Sequence, residues 1–326
     1  MKLLNVPVID LEPFRHGDDA DKQAVAEAVD RACRDIGFLV ISGHGVSTDL
    51  IARTREISRA FFDLPLAEKR KVARPSVETT RGYIGVDEES LARSRDPKAP
   101  GSDLNESFMI GPVDTPAADY ACAPEAGKHF APNMWPENPP ELKEIWSDYY
   151  REMGSLAALL MRIFAMALGL PEDHFDNKID KHISRLRVRN YPAQLETPAP
   201  GQIRAGAHSD YGSLTILATE DKPGGLQVCN ANGDWVDVPI VPDCFIINIG
   251  DLLARWTNDT WVSTLHRVVN PPAGAGSETR RQSLVFFHNP NYDADITNLI
   301  PETTAKYPPT TSGDHLRALY MATQNG

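Results

Sequence analysis

A mostly β core with helices, closed as a sandwich or small barrel, is the fold class this sequence predicts. Three observations lead there. From about residue 183 short alternating runs follow one another: "SRLRVRNYP", "GSLTILATE", "GLQVCN", "DWVDVPI", "CFIINIGDLLARWT", "VSTLHRVVNP" and "RQSLVFFHNP". Alternation is what half-buried strands produce, and many short strands at this spacing suit closed β architectures. Turn signals separate the runs, with Pro-Gly-Gly at 223–225, Asn-Gly at 232–233 and Pro-Pro at 271–272. The N-terminal half instead carries helical periodicity, so helices are expected to wrap on the β core.

In chain order, "VPVIDLEPF" opens as a short strand ended by a proline. "DADKQAVAEAVDRACRDIG" has Ala24, Val25, Ala28, Val29 and Ala32 on one helical stripe, with Gly37 placed to cap its end. "FLVISGHGV" is a buried strand and glycine turn, and residues 48–70 are a second helix whose apolar side carries Ile51, Ile57, Phe61 and Phe62. Residues 72–140 are irregular, with strand-like pieces "TTRGYIG" and "DLNESFMIG" inside long loops, a texture common in functional segments. The longest helix is expected over 140–170, closed by Gly169 and Pro171, and a last one over "SGDHLRALYMATQN". The expected division is 1–180 as a mixed α/β region, 181–300 as the β core and 301–326 as a tail, together one structural unit.

Bulk properties narrow the function. A formal charge of −12 argues against a nucleic-acid partner, because phosphate binding needs a basic footprint. No apolar run reaches the length of a membrane span, and "MKLLNVPVIDLEPF" lacks the apolar stretch of a signal peptide. Cys33, Cys122, Cys229 and Cys244 are scattered, which suits reduced thiols. A cytoplasmic protein acting on a small molecule, as a monomer or weak homodimer, is the expectation.

Chemistry concentrates in "AGAHSDYGSLTIL". If the strand includes both, His208 and Asp210 leave the same face and converge on one point. His266, in "STLHRVV", lies 266 − 210 = 56 residues on, far enough for the chain to return beside the first strand. Two histidines and a carboxylate on one face of a metal are the ligand set of non-haem Fe(II) oxygenases. Downstream, Arg281 and Ser283 in "RRQSLVFF" share a strand face, and a guanidinium beside a hydroxyl suits a carboxylate.

Together "HSDYGSLTIL", "LHRVVNP" and "RQS" resemble the HxD…H and RxS signatures of the isopenicillin N synthase-like branch of the 2-oxoglutarate/Fe(II)-dependent dioxygenases. "VPVIDL", "DIGFLVISGHGV", "GGLQV", "DWVDVP" and "FIINIGDLLARWTND" extend the resemblance over almost the whole chain. The resemblance implies a double-stranded β-helix (jelly roll) with N-terminal helices. It implies Fe(II) on His208, Asp210 and His266, and 2-oxoglutarate as co-substrate, its far carboxylate held by Arg281 and Ser283 with Tyr191 and Arg187 assisting. Dioxygen would then be consumed with oxidative decarboxylation to succinate and CO2, coupled to C–H oxidation by hydroxylation, desaturation or cyclisation.

Substrate contacts are expected from Arg81 and Tyr83, because "RGY" resembles an Arg-x-Gly-Tyr segment that binds the substrate carboxylate in isopenicillin N synthase, one residue shorter here. Arg185, Arg187, Arg189 and Tyr191 share one strand face, so Arg189 or Arg185 would meet an anionic substrate. Of Phe286 and Phe287 one faces the cavity; Phe287 is the candidate. Glu106 and His44 are read as structural.

The spacing from His266 to Arg281 (281 − 266 = 15) is long for the family, and "PPAGAGSET" is expected to absorb it as a hairpin loop. Rival readings stay open at this point. They are an oxidase of the isopenicillin N synthase kind, whose Arg-Ser pair holds the substrate itself, and an ethylene-forming-like enzyme. From other classes come a zinc hydrolase and a non-catalytic jelly-roll binder.

Overall fold

The computed structural model describes residues 6–76, 79–94, 99, 101–301 and 303–324. Residues 1–5, on which the reading of the N-terminus partly rests, lie outside the described residues. β1 (Val8–Asp10) runs parallel to β2 (Phe38–Ser42). Between them stand α1 (Glu12–His16) and α2 (Asp19–Asp35). Pro13 opens α1 instead of merely ending the strand, because a first-turn residue needs no amide donor. Asp18 and Asp21 cap α2 reciprocally. Its buried stripe includes Ala26 and Cys33, so the helix is rotated slightly from the predicted face. Gly37 takes φ +66, where a Cβ would stand 2.0 Å from the Val262 carbonyl oxygen.

The helix expected over 48–70 is two: α3 (Thr48–Phe62), capped by Ser47, and α4 (Leu66–Arg70). Pro65 between them lacks the amide that a continuous helix would need. β3 (Gly82–Ile84), β4 (Glu106–Ile110) and the short α5 (Ala118–Ala121) follow. α6 (Leu142–Ala167) is the long helix, with Gly169 at φ +72 beyond its end. The short α7 (Asp176–Ile179) leads into β5 (Arg185–Tyr191), β6 (Ala205–His208), β7 (Leu214–Thr219), β8 (Leu226–Cys229), β9 (Trp235–Asp237) and β10 (Phe245–Ile249). "DLLARW", read above as the continuation of a strand, is the helix α8 (Asp251–Trp256). β11 (His266–Val268), β12 (Arg281–His288), β13 (Asp295–Ile296), β14 (Thr310–Thr311) and α9 (Ser312–Gln324) complete the order.

Eight strands form one sheet in the order β1-β2-β10-β7-β12-β5-β4-β3, and four form a second, β6-β11-β8-β9. Alternation along each strand sorts side chains between two cores. Leu39, Ile41, Leu186, Val188, Ile247, Leu284 and Phe286 turn to the helical layer, where α6 contributes Trp146 and Met153. Phe38, Val40 and Ile246 turn the other way and meet Leu226, Val228 and Val268 of the small sheet. The result is a helical layer on a jelly roll. Because β11 and β12 belong to different sheets, residues 269–280 cross from one to the other; they are not the expected hairpin loop.

Phe108 on β4 is fully buried, edge-on to Phe61 at 5.0 Å and to Trp146 at 5.3 Å. Phe108→Ala is expected to lower unfolding stability by about 3–5 kcal/mol. Urea denaturation measures it, and a loss under about 1 kcal/mol would contradict this account of the helix–sheet core.

Candidate metal centre and adjoining cavity

β6 and β11 lie side by side with His208 directly opposite His266, and their ring centroids are 4.3 Å apart. Asp210 is not on the strand with His208, as its spacing suggested. β6 ends at His208, and Asp210 sits in the bend that leads to β7. The convergence nevertheless holds: the ligand atoms of His208, Asp210 and His266 all lie within 4.8 Å of one another.

The surrounding groups aim these three. His208 Nδ1 donates to the Gly206 carbonyl at 2.7 Å, and His266 Nδ1 to that of Thr264 at 3.1 Å. A carbonyl can only accept, so each ring keeps its proton on Nδ1 and presents the Nε2 lone pair. The two Nε2 atoms lie 3.8 and 3.7 Å from Asp210 Oδ1. Asp210 Oδ2 accepts from Thr215 Oγ1 at 2.6 Å and Asn248 Nδ2 at 2.8 Å, which leaves Oδ1 for a metal. Burial, then the neighbouring His266, pushes the His208 pKa down, so the ring is held neutral. Burial alone would raise Asp210, but the two imidazoles and the Thr215 and Asn248 hydrogen bonds outweigh it and hold the carboxyl below its ordinary range. Two imidazoles that present Nε2, one carboxylate and partners that fix all three fit a divalent iron. Asn248→Ala is expected to weaken Fe(II) binding about 10–100-fold, as loss of a group that orients a ligand does. An unchanged Fe(II) titration would mean that Asn248 does not orient Asp210.

Arg281, Ser283 and Tyr191 come together on the inner face of the large sheet, with Arg281 opposite Tyr191 and Ser283 opposite Arg189. The Arg281 guanidinium lies 5.3 Å from the Tyr191 ring centroid, and Arg204 lies 5.7 Å from the same ring. Arg281 donates to the Gly224 carbonyl at 2.5 Å and to Thr219 Oγ1, while its Nε has no hydrogen-bond partner. Ser283 Oγ is 3.3 Å from Thr219 Oγ1. Burial lowers the pKa of both arginines, that of Arg204 to about 10.

A cavity of about 330 Å³ opens beside His208 and Asp210. Phe287, Met109 and Ile84 line it with apolar surface, as do Leu316 and Tyr320 of α9. Phe286 is buried in the helical core instead, so of the two phenylalanines it is Phe287 that meets the cavity. Arg81, Arg185, Arg187 and Arg189 all face this space. Their strand is no solvated edge, since β5 lies between β12 and β4.

Two expected roles are corrected. Arg187 does not join the Arg281 cluster. It stands four residues from Tyr191 along β5, and its guanidinium is held by Glu89 at 2.5 Å and by Ser107 Oγ at 3.0 and 2.8 Å. Tyr83 does not line the cavity. Its ring is buried against Phe61, and its hydroxyl donates to Glu106 Oε2 at 2.6 Å, which also binds Lys69 at 2.7 Å. Glu106 and His44 are structural, as read: Glu106 holds this network, and His44 bonds the Asp243 carbonyl and the Val46 amide.

Two positions that shape the site escaped the sequence reading. Glu89 sits in the acidic loop "DEES", which has no periodicity to flag it. Desolvation pushes its carboxyl up, yet Arg187 and Arg189 hold it down to about 2. Asn248 could have been noticed as the one amide inside the apolar run "FIINIG".

Comparison with known proteins agrees with the geometry. Residues 6–138 match the family described as non-haem dioxygenase in morphine synthesis N-terminal, and residues 182–290 match the 2OG-Fe(II) oxygenase superfamily. The validamycin A dioxygenase of Streptomyces hygroscopicus subsp. limoneus is 33% identical over 300 residues, covering 90% of this chain and 80% of that protein. A homoarginine-6-hydroxylase of Arabidopsis thaliana is 33% identical over 329 residues, covering 97% and 94%. A full-length Neurospora crassa protein, solved in complex with alpha-KG, superposes with TM-score 0.84 at 33% identity over 98% of this chain and 96% of that one. JOX2, solved with 2OG, Fe and JA, does so with TM-score 0.77 at 28% identity, covering 98% and 88%. The chain belongs to the 2OG-Fe(II) oxygenase superfamily, in its isopenicillin N synthase-like branch, and is a 2-oxoglutarate- and Fe(II)-dependent dioxygenase.

Proposed function

We propose that this chain oxidises a C–H bond of a small molecule held in the cavity beside His208 and Asp210. His208, Asp210 and His266 hold Fe(II), and Arg281, Ser283 and Tyr191 hold the far carboxylate of 2-oxoglutarate. The observation that carries the reading is the three-donor cluster, each donor oriented by a second hydrogen bond. When bound, the metal and co-substrate supply dioxygen activation coupled to oxidative decarboxylation.

The chain's own part is positional. Thr215 and Asn248 keep one Asp210 oxygen away from the metal point. Arg281 presents a cation in a site where burial removes competing water. Phe287, Met109 and the α9 side chains Leu316 and Tyr320 enclose the substrate and exclude solvent. None of these groups needs to act as a general base.

Residues 1–180, 181–300 and 301–326 act as one structural unit, a reading supported by a core that runs from Ile9 to Ile296 and by Leu316, which packs with Ile183 and Tyr292. A monomer or weak homodimer in the cytoplasm remains the setting proposed. Scattered exposed apolar side chains and four unpaired cysteines support it.

Succinate formation from 2-oxoglutarate in air with Fe(II) tests the function. The reading expects succinate with wild type and none with His208→Ala. Succinate at the wild-type rate from that variant would overturn the ligand assignment.

A further inference from the structure

Among the arginines facing the cavity, compensation is uneven. Arg187 and Arg189 share Glu89, at 2.5 and 3.6 Å. Arg81 and Arg185 have no carboxylate within ion-pairing distance among the described residues. Arg81 donates to the carbonyls of Thr80 and His129 at 2.9 and 2.6 Å, and its Nε is buried without a partner. Arg185 donates to the Tyr320 hydroxyl and stacks on that ring at 5.0 Å. Both residues are nearly inaccessible, at 1% and 6% exposure. Two buried guanidiniums satisfied by neutral acceptors alone are costly unless an anion completes the site.

The sheet sets them side by side. Ile110 pairs with Leu186, so the next position, Gly111, falls opposite Arg185. The Arg81 guanidinium rests on Gly111 in the space a side chain would take, since a Cβ there would stand 1.7 Å from Nη2 and 1.9 Å from Cζ. The missing side chain thus brings Arg81 alongside Arg185. Burial, and next to it repulsion from Arg185, lowers the Arg81 pKa to about 9, while burial and the same two arginines keep His129 neutral.

The pair also has a defined position relative to the metal centre. Asn248, Thr215, Phe287 and Arg185 form one row across four adjacent strands, and the first two hold Asp210. Two strand spacings, about 10 Å, separate Thr215 from Arg185. Arg281 lies six residues along β12 from Phe287, about 20 Å away, so a five-carbon diacid seated on Arg281 does not reach Arg185.

We infer that Arg81 and Arg185, with the Tyr320 hydroxyl, form the anion-binding end of the substrate cavity, and that the substrate is a small organic acid. Its carboxylate docks on the two guanidiniums, and the carbon to be oxidised lies several bonds away, toward Asp210. The inference rests on the reading of this cavity as the substrate site, and it separates two carboxylate pockets, one for the co-substrate and one for the substrate.

The test uses the full chain loaded with Mn(II), which stands in for Fe(II) without turnover, and with 2-oxoglutarate, whose binding is measured first. 4-Phenylbutyrate and 4-phenylbutanamide are then titrated by calorimetry. They match in shape, but the amide lacks the charge and offers N–H donors to N–H donors. The acid is expected to bind about tenfold or more tightly than the amide. In Arg185→Met the preference disappears. It also weakens in Gly111→Ala, which pushes Arg81 aside and leaves the backbone intact, and in Tyr320→Phe, a second variant should Arg185→Met fail to fold. Equal affinity of wild type for acid and amide, absence of binding of both included, overturns the inference while 2-oxoglutarate still binds. Failure of 2-oxoglutarate itself to bind overturns the proposed function instead.

Discussion

Asp210→Ala abolishes 2-oxoglutarate turnover and weakens Fe(II) binding by more than the roughly 10–100-fold expected of a supporting residue. The carboxylate is the one anionic donor of the cluster. Its loss leaves only two imidazoles to hold a dication, and leaves Thr215 and Asn248 without their acceptor. Equilibrium dialysis with Fe(II), paired with a succinate assay, measures both effects. Retained turnover in this variant would mean that the metal is held elsewhere.

The second large effect belongs to Arg281. Arg281→Met removes the buried cation that we propose faces the co-substrate carboxylate, a change that costs about 2–5 kcal/mol at a desolvated charge pair. At 1.4 kcal/mol per tenfold, KM for 2-oxoglutarate rises from about 30-fold to several thousand-fold. Arg281→Lys falls between the two, because it keeps charge and loses the planar fork. Fe(II) affinity stays near wild type in both variants, since Arg281 does not touch the three metal ligands. A KM for 2-oxoglutarate that does not move would assign the Arg281–Ser283 pair to another ligand.

The convergence of His208, Asp210 and His266 was legible because their spacing and surroundings agreed. His208 ends an alternating strand, His266 opens another, and the register places them opposite each other. What spacing could not give was the conformation of the link, so Asp210 was expected on the strand and occupies the bend. "DLLARW" was read as strand because its apolar residues follow "FIINIG" without a Pro break, yet Gly250 ends the strand and a helix starts. The crossing between sheets was hidden for a different reason. Length alone does not say whether residues 269–280 turn back in one sheet or pass to the other.

Side-chain partnerships were the least legible level. A shared strand face placed Arg185, Arg187 and Arg189 toward the interior correctly, but which of them an acid would neutralise depended on a loop without pattern, where Glu89 lies. Tyr83 followed a resemblance of segment and turned out to serve the Glu106–Lys69 network. Gly111 carried no signal at all in sequence; its role appears only when the Arg81 guanidinium is seen resting on it.

The central claim is that one chain holds Fe(II) on His208, Asp210 and His266 and 2-oxoglutarate on Arg281 and Ser283. Anaerobic titration of Fe(II) and then 2-oxoglutarate into apo-protein, followed by visible absorbance, tests it most directly. The account predicts a metal-to-ligand charge-transfer band that needs both components, vanishes in His208→Ala and weakens in Arg281→Met. Iron binding without any band on adding 2-oxoglutarate would contradict it.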